Sequence, residues 1–240
     1  MSVSIEVVDD PARSGAALMV GAALRNGQIV LTGGSTPRAA YAGFVDAVRT
    51  VGIDLGATTF WIGDERCVDP DDERSNWRMI SESLLDGLGD DNRPAAAHRM
   101  RGELGPDAGA EEYERLLRAA GPPRFDLLLL GVGPDGHCAS LFPNRPALAE
   151  RRRMVVGVPE AGLEPFVPRI SLTLPALTSA RRIVFLATGE SKAAAVARAF
   201  GPGARPDPAV PASLAAMEAA QVTVLLDAAA ASALPHGGRR

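Results

Sequence analysis

Phe125-Asp126-Leu127-Leu128-Leu129-Leu130-Gly131-Val132-Gly133-Pro134-Asp135-Gly136-His137-Cys138-Ala139-Ser140-Leu141-Phe142-Pro143 joins an apolar run to a glycine-rich loop. Residues 125–130 are Phe, Leu and one Asp with no polar alternation, the pattern of a strand buried on both faces at the centre of a parallel sheet. The loop after it has three glycines within six residues, so a ligand can come close to the backbone. Asp135 and His137 are the titratable groups that loop offers. A tight turn with a locally packed histidine accounts for the glycines but leaves Asp-Gly-His unexplained, which makes a functional loop the stronger reading.

Outward from this junction, short apolar strands alternate with helices. Strands are expected at residues 5–8, 29–31, 58–62, 154–158, 183–187 and 222–226, with a further stretch at 169–174. Asp9 or Asp10 caps a first helix with Pro11 in its first turn, Ala17, Leu18, Val20 and Leu24 as its apolar positions, and Asn26 and Gly27 at its end. Further helices are expected from Pro37 to about Val48, from a Ser75 cap to Leu85, over 108–120 with Leu116 and Leu117 inward, and over 191–200. The alternation predicts an α/β fold, an open, mostly parallel Rossmann-like sheet with helices on both faces. Residues 1–240 are expected to form a single domain with a small appended element, with exposed loops at 88–94 and 201–211 and a disordered tail at 236–240. In such a sheet the loops following residues 31, 62, 130 and 187 share one edge, where ligands of open α/β sheets bind.

Composition narrows the function. The 240-residue chain can bury a core without cross-links, and its two cysteines, Cys67 and Cys138, have no metal-site spacing. With no secretory signal and no bilayer-length apolar run, a cytoplasmic protein without membrane partners is expected. A formal net charge of −4 argues against a general nucleic-acid binder, so an anionic ligand must be met locally. Lys192 is the only lysine, every other cation being arginine. A compact ammonium on a slim stem suits a phosphate where a planar guanidinium does not fit.

Several segments together resemble a known family. The 131–143 loop is similar to the signature of 6-phosphogluconolactonases, which share a wider group with glucosamine-6-phosphate deaminases and ribose-5-phosphate isomerases. Thr32-Gly33-Gly34-Ser35-Thr36-Pro37, Gly63-Asp64-Glu65-Arg66-Cys67-Val68, Ser75-Asn76-Trp77-Arg78-Met79, Pro168-Arg169-Ile170-Ser171 and Gly189-Glu190-Ser191-Lys192 also resemble family blocks, in the family's order over nearly the whole chain. The resemblance implies a glucosamine-6-phosphate deaminase/ribose-5-phosphate isomerase-like fold. It also implies hydrolysis of 6-phospho-D-glucono-1,5-lactone in the oxidative pentose phosphate pathway.

In the residues themselves, Gly33, Gly34, Ser35 and Thr36 lie between strand and helix, where free N–H groups, hydroxyls and the positive helix end can hold a phosphate. Dinucleotide and triphosphate-loop spacings are absent, which favours a monophosphate. Arg169 is a candidate clamp, and Lys192 falls in the first turn of a helix beside free N–H groups. By resemblance, Arg66 helps bind the anionic parts of the substrate and Asp64 lines the site. His137 is the candidate general base, activating water against the lactone carbonyl. Asp135 orients either the imidazole or a sugar hydroxyl. Backbone N–H groups of the glycine loop are expected oxyanion donors, and Gly133 is a candidate substrate-binding residue. No metal or other cofactor is expected, because a δ-lactone is reactive enough for positioning and one base.

Cys138 stands where the family commonly has Thr, and its place beside His137 gives no nucleophile geometry. Residues 69–74 depart from a more proline-rich family pattern. His98, His236, Trp61 and Trp77 read as structural or surface residues. The rival activities are a deaminase-like sugar-phosphate isomerase and a non-catalytic sugar-phosphate sensor. Leu141-Phe142-Pro143 in place of an Asn-Glu-Pro ending, and Arg66 where the deaminases tend to have Tyr, favour hydrolysis. The expected partner is the small phosphorylated lactone, bound by a monomer or small homo-oligomer.

Overall fold

A computed structural model describes residues 2–121 and 125–235. The expected tail at 236–240, with His236, lies outside these residues. In chain order the elements are β1 (Ser2–Val7), α1 (Pro11–Ala23), β2 (Gln28–Leu31), α2 (Ser35–Val51), β3 (Thr59–Ile62), β4 (Asp64–Arg66), α3 (Asn76–Ile80) and α4 (Asp86–Leu88), followed by β5 (Ala96–Ala97). Then come α5 (Pro106–Ala119), β6 (Leu127–Gly131), β7 (Val155–Val158), β8 (Arg169–Leu172), α6 (Leu174–Thr178), β9 (Ile183–Ala187), α7 (Ala193–Phe200), α8 (Pro211–Glu218) and β10 (Gln221–Leu226).

Seven strands form one sheet in the order β1-β10-β9-β6-β2-β3-β5, and every pairing in it is parallel. Alternate residues of the central strands feed two cores. Val30, Trp61, Leu128, Leu130, Phe185 and Val224 face α5, α6, α7 and α8, while Ile29, Leu31, Phe60, Ile62, Leu129 and Leu186 face α1 and α2. Helices thus cover both faces, and burial on both sides is why these strands show no polar alternation. The strand order runs outward from β2 to β5 in one direction and from β6 to β1 in the other. The reversal falls between β2 and β6, so the loops after these two strands flank the switch-point crevice.

Three readings need correction. In α1, Ala17 and Leu24 are exposed, and Leu18 and Val20 only partly covered. The helix instead buries Ala12, Gly15, Ala16, Met19, Ala22 and Ala23. Small residues win because α1 lies close on its neighbours: a Cβ on Gly15 would stand 3.1 Å from Leu186, and one on Gly43 of α2 would stand 3.4 Å from Ala16. Second, the expected loop at 201–211 leads into α8, which buries Pro211 to Ala216 in an unbroken run and so shows no helical period. Third, Asp64–Arg66 is a strand and not a loop. With β7 and β8 it forms a separate antiparallel sheet in the order β4-β8-β7.

Candidate active site

The segments singled out above meet in one cleft of about 270 Å³. Gly33, Gly34, Ser35, Thr36, Asp64, Arg66, Gly133, His137, Arg169 and Lys192 all line it. Asp135 does not; it stands behind His137.

The wall after β2 is the start of α2. Gly34 caps this 17-residue helix at φ +115°, a backbone that side-chain-bearing residues rarely adopt, and no side chain caps the first turn. Its N-terminal N–H groups are therefore available to an anion, with the helix dipole behind them. Tyr41 fixes the approach by accepting from Thr32 N at 2.8 Å and donating to Thr32 O at 2.7 Å. Thr36 shares a 2.8 Å hydroxyl bond with Thr188, tying this wall to the end of β9. Beyond Thr188, a 3-10 turn over Glu190–Lys192 brings Lys192 to the rim as the residue before α7. The Gly189 N–H is not free there, since it donates to both Asp227 carboxylate oxygens at 3.1 and 3.0 Å. The Lys192 backbone N–H donates to Gly189 O at 3.1 Å, while its ammonium has no hydrogen-bond or ion-pair partner among the described residues. Burial lowers its proton affinity below that of an ordinary lysine, and Asp135 offsets this in part.

The second cationic wall comes from the small sheet. Arg66 and Arg169 are direct cross-strand partners in the antiparallel β4–β8 pair. Like charges placed opposite one another destabilise a sheet, so this pair is a feature that local stability does not explain. Burial, and then the Arg66 charge, lower the proton affinity of Arg169. Arg169 is only 3 % exposed, and its Nε and Nη2 donate to the carbonyls of Val167 at 3.0 Å and Pro165 at 2.6 Å. Part of the expected clamp therefore holds the 163–167 segment over the cleft. Arg66 Nη1 donates to Arg74 O at 2.5 Å, and its buried Nε has no partner among the described residues.

On the β6 loop, His137 Nδ1 and Asp135 Oδ1 are 2.6 Å apart, and the His137 N–H donates to the same oxygen at 3.1 Å. Of the two groups expected as partners of Asp135, the imidazole is in direct contact with it. Burial raises the Asp135 carboxyl, but the bonds and charge of His137 more than offset that and hold it below its ordinary range. Gly133 leaves room for the pair: a Cβ there would lie 2.0 Å from His137 Nδ1 and 2.6 Å from Asp135 Oδ1. The Gly133 N–H is not free to meet an oxyanion, since it donates to His137 O at 2.9 Å. Phe142 packs on the imidazole at 4.8 Å between centroids. Cys138 is fully buried, and burial pushes its thiol far up, which disfavours a thiolate.

Asn76, Ser140 and Thr188 also line the cleft although no role was assigned to them from sequence. Ser140 Oγ donates to Asp64 Oδ2 at 2.7 Å, and Asn76 Nδ2 donates to Asp64 O at 2.8 Å. Both residues stood inside quoted blocks. Only their side-chain partners, which lie far away in sequence, reveal what they do.

The fold and cleft define a doubly wound α/β protein whose switch-point crevice joins a cationic, helix-capped rim to a carboxylate-oriented histidine. Residues 12–224 match the family described as glucosamine-6-phosphate isomerases/6-phosphogluconolactonase. The 6-phosphogluconolactonase of Streptomyces coelicolor is 40% identical over 221 residues, covering 87% of this chain and 82% of that one. A crystal structure of 6-phosphogluconolactonase from Leishmania guyanensis superposes with a TM-score of 0.80 at 25% identity, over 96% of this chain and 98% of that one. A monomeric glucosamine-6-phosphate deaminase reaches a TM-score of 0.81 at 23% identity over 97% and 100%, a likeness of fold alone. The chain belongs to the glucosamine-6-phosphate isomerase/6-phosphogluconolactonase family.

Proposed function

We propose that this protein hydrolyses 6-phospho-D-glucono-1,5-lactone to 6-phospho-D-gluconate, the lactonase step of the oxidative pentose phosphate pathway. The observation that carries this reading is the Asp135–His137 pair facing a cleft whose other walls are cationic. A carboxylate on Nδ1 favours the tautomer with its proton there and leaves Nε2 as the basic nitrogen. Nε2 takes a proton from water as the water oxygen bonds to C1. Negative charge developing on the carbonyl oxygen is favoured by the surrounding cations. Collapse then breaks the C1–O5 bond, and the imidazolium returns its proton to O5. The start of α2, whose first turn has no side-chain cap, together with Lys192, Arg66 and Arg169 holds the phosphate and the nascent carboxylate.

The neighbours of His137 support hydrolysis over isomerisation. Phe142 presents an apolar ring to the imidazole, and no second acid stands beside it among the described residues. The test is to supply freshly generated 6-phosphogluconolactone and, separately, glucosamine 6-phosphate. Acid release from the lactone well above its spontaneous rate, with no ammonia from the amino sugar, is the expected result. Ammonia release without lactone hydrolysis overturns the proposal.

A further inference from the structure

Ser140 and Asp64 form a buried contact that the hydrolytic steps do not use. Asp64 is 6 % exposed and Ser140 1 %, and both border the cleft. The serine hydroxyl donates its one proton to Asp64 Oδ2 at 2.7 Å. Its own backbone is fixed, because Ser140 N donates to Ser171 Oγ at 3.2 Å while Ser171 donates to Leu172 O at 2.9 Å. Ser171 is the cross-strand partner of Asp64 in the β4–β8 register, so strand and loop are locked at this point. None of the ion pairs formed among the described residues includes Asp64.

A buried carboxylate with a neutral hydroxyl on one oxygen and no ion pair among the described residues keeps unfilled acceptor capacity, although the Arg169 guanidinium lies near enough to feel its charge. Its negative charge disfavours phosphate and suits a neutral donor. We infer that Asp64 and Ser140 form a hydroxyl-reading subsite, in which Asp64 accepts a hydrogen bond from a secondary hydroxyl of the bound sugar. Ser140 is the positioning residue that holds the carboxylate for that contact. The cleft is then polarised, with anionic substrate groups at Arg66, Arg169 and Lys192 and ring hydroxyls at Asp64. Ser140 also follows His137 by three residues, so its hydrogen bond sets the sugar-reading wall against the loop that bears the base. The inference rests on the hydrolase reading and adds the element that selects the sugar.

The test compares 6-phosphogluconolactone with phosphorylated lactones that each lack one ring hydroxyl, prepared from the corresponding deoxyglucose 6-phosphates. A site built to hydrogen-bond a hydroxyl rejects the analogue lacking it strongly, so the wild type is expected to disfavour at least one deoxy lactone by about 100-fold or more in kcat/KM. In Ser140→Ala that ratio falls about tenfold or more, chiefly through KM, while the pH dependence of kcat is retained. Asp64→Asn lowers the ratio as well, and adding Ser140→Ala to it changes the ratio no further. Should Ser140→Ala fail to fold, Ser140→Cys keeps the size, weakens the donor and gives the same readout. Equal turnover of every deoxy lactone by the wild type, or an unchanged ratio in a folded Ser140 variant, overturns the inference. A wild type that does not accelerate hydrolysis of the parent lactone contradicts the hydrolase reading instead, and the two failures are separable.

Discussion

Gly133 and His137 compete for the same space, which makes residue 133 a direct probe of the imidazole. A Cβ there would sit 2.0 Å from Nδ1, so Gly133→Ala must move the ring or the loop. Displacements near 1 Å can cost about 100-fold in rate, and a loss of that order in kcat is expected by steady-state assay. A variant within threefold of the wild type contradicts this placement of the base. Lys192 supplies a pH test. Burial lowers its proton affinity, so the ammonium loses its charge, as pH rises, earlier than an exposed lysine does. Affinity for 6-phosphogluconate, present while the ammonium is charged, is therefore expected to fall as pH rises through that lowered value. Lys192→Gln should weaken binding by about 10–100-fold at neutral pH, the worth of a charge-assisted hydrogen bond, and remove the alkaline fall. Calorimetric titration reads both; an alkaline fall that persists in Lys192→Gln assigns it elsewhere.

Among the elements, β4 is the hinge of the design. Glu65 is 2 % exposed and accepts from Arg66 N, Asn76 N and Trp77 N, each at 2.7 Å, fastening the strand to the first turn of α3. Burial raises its carboxyl, and those three amide bonds oppose the shift. Glu65→Ala leaves buried donors without a partner, at a cost of about 3 kcal/mol. For a chain of this size that corresponds to a drop of roughly 6–12 °C in Tm, measurable by scanning calorimetry. A drop below about 2 °C shows that the clamp adds little. This element was also the least legible in sequence. Asp64-Glu65-Arg66 has three charged residues and no apolar alternation, so only pairing with β8 makes it a strand. The strands β2, β3, β6, β9 and β10 behaved differently, because burial on both faces leaves an apolar run that one sequence displays, whereas β1 is exposed over residues 3–7 and the two-residue β5 carries no such run. α8 escaped notice for the opposite reason, being apolar on all sides.

At the scale of the molecule, the order reversal between β2 and β6 brings the 32–37 and 131–143 segments to one crevice. The small sheet adds Asp64, Arg66 and Arg169, and the β9 loop adds Lys192. That convergence was legible because the polar blocks follow strands expected to be parallel. What sequence could not supply was the commitment of individual donors: the Gly133 N–H to His137 O, the Gly189 N–H to Asp227, and two nitrogens of Arg169 to loop carbonyls. The proposed hydrolysis depends on a base at one wall of a cleft that grips the substrate by its others. Its most direct test is acid release from freshly generated 6-phosphogluconolactone by the wild type and by His137→Ala. Loss of a general base should lower kcat by about 10²–10⁴-fold with KM little changed, because the cationic walls are intact. A His137→Ala enzyme that turns over at the wild-type rate would contradict it.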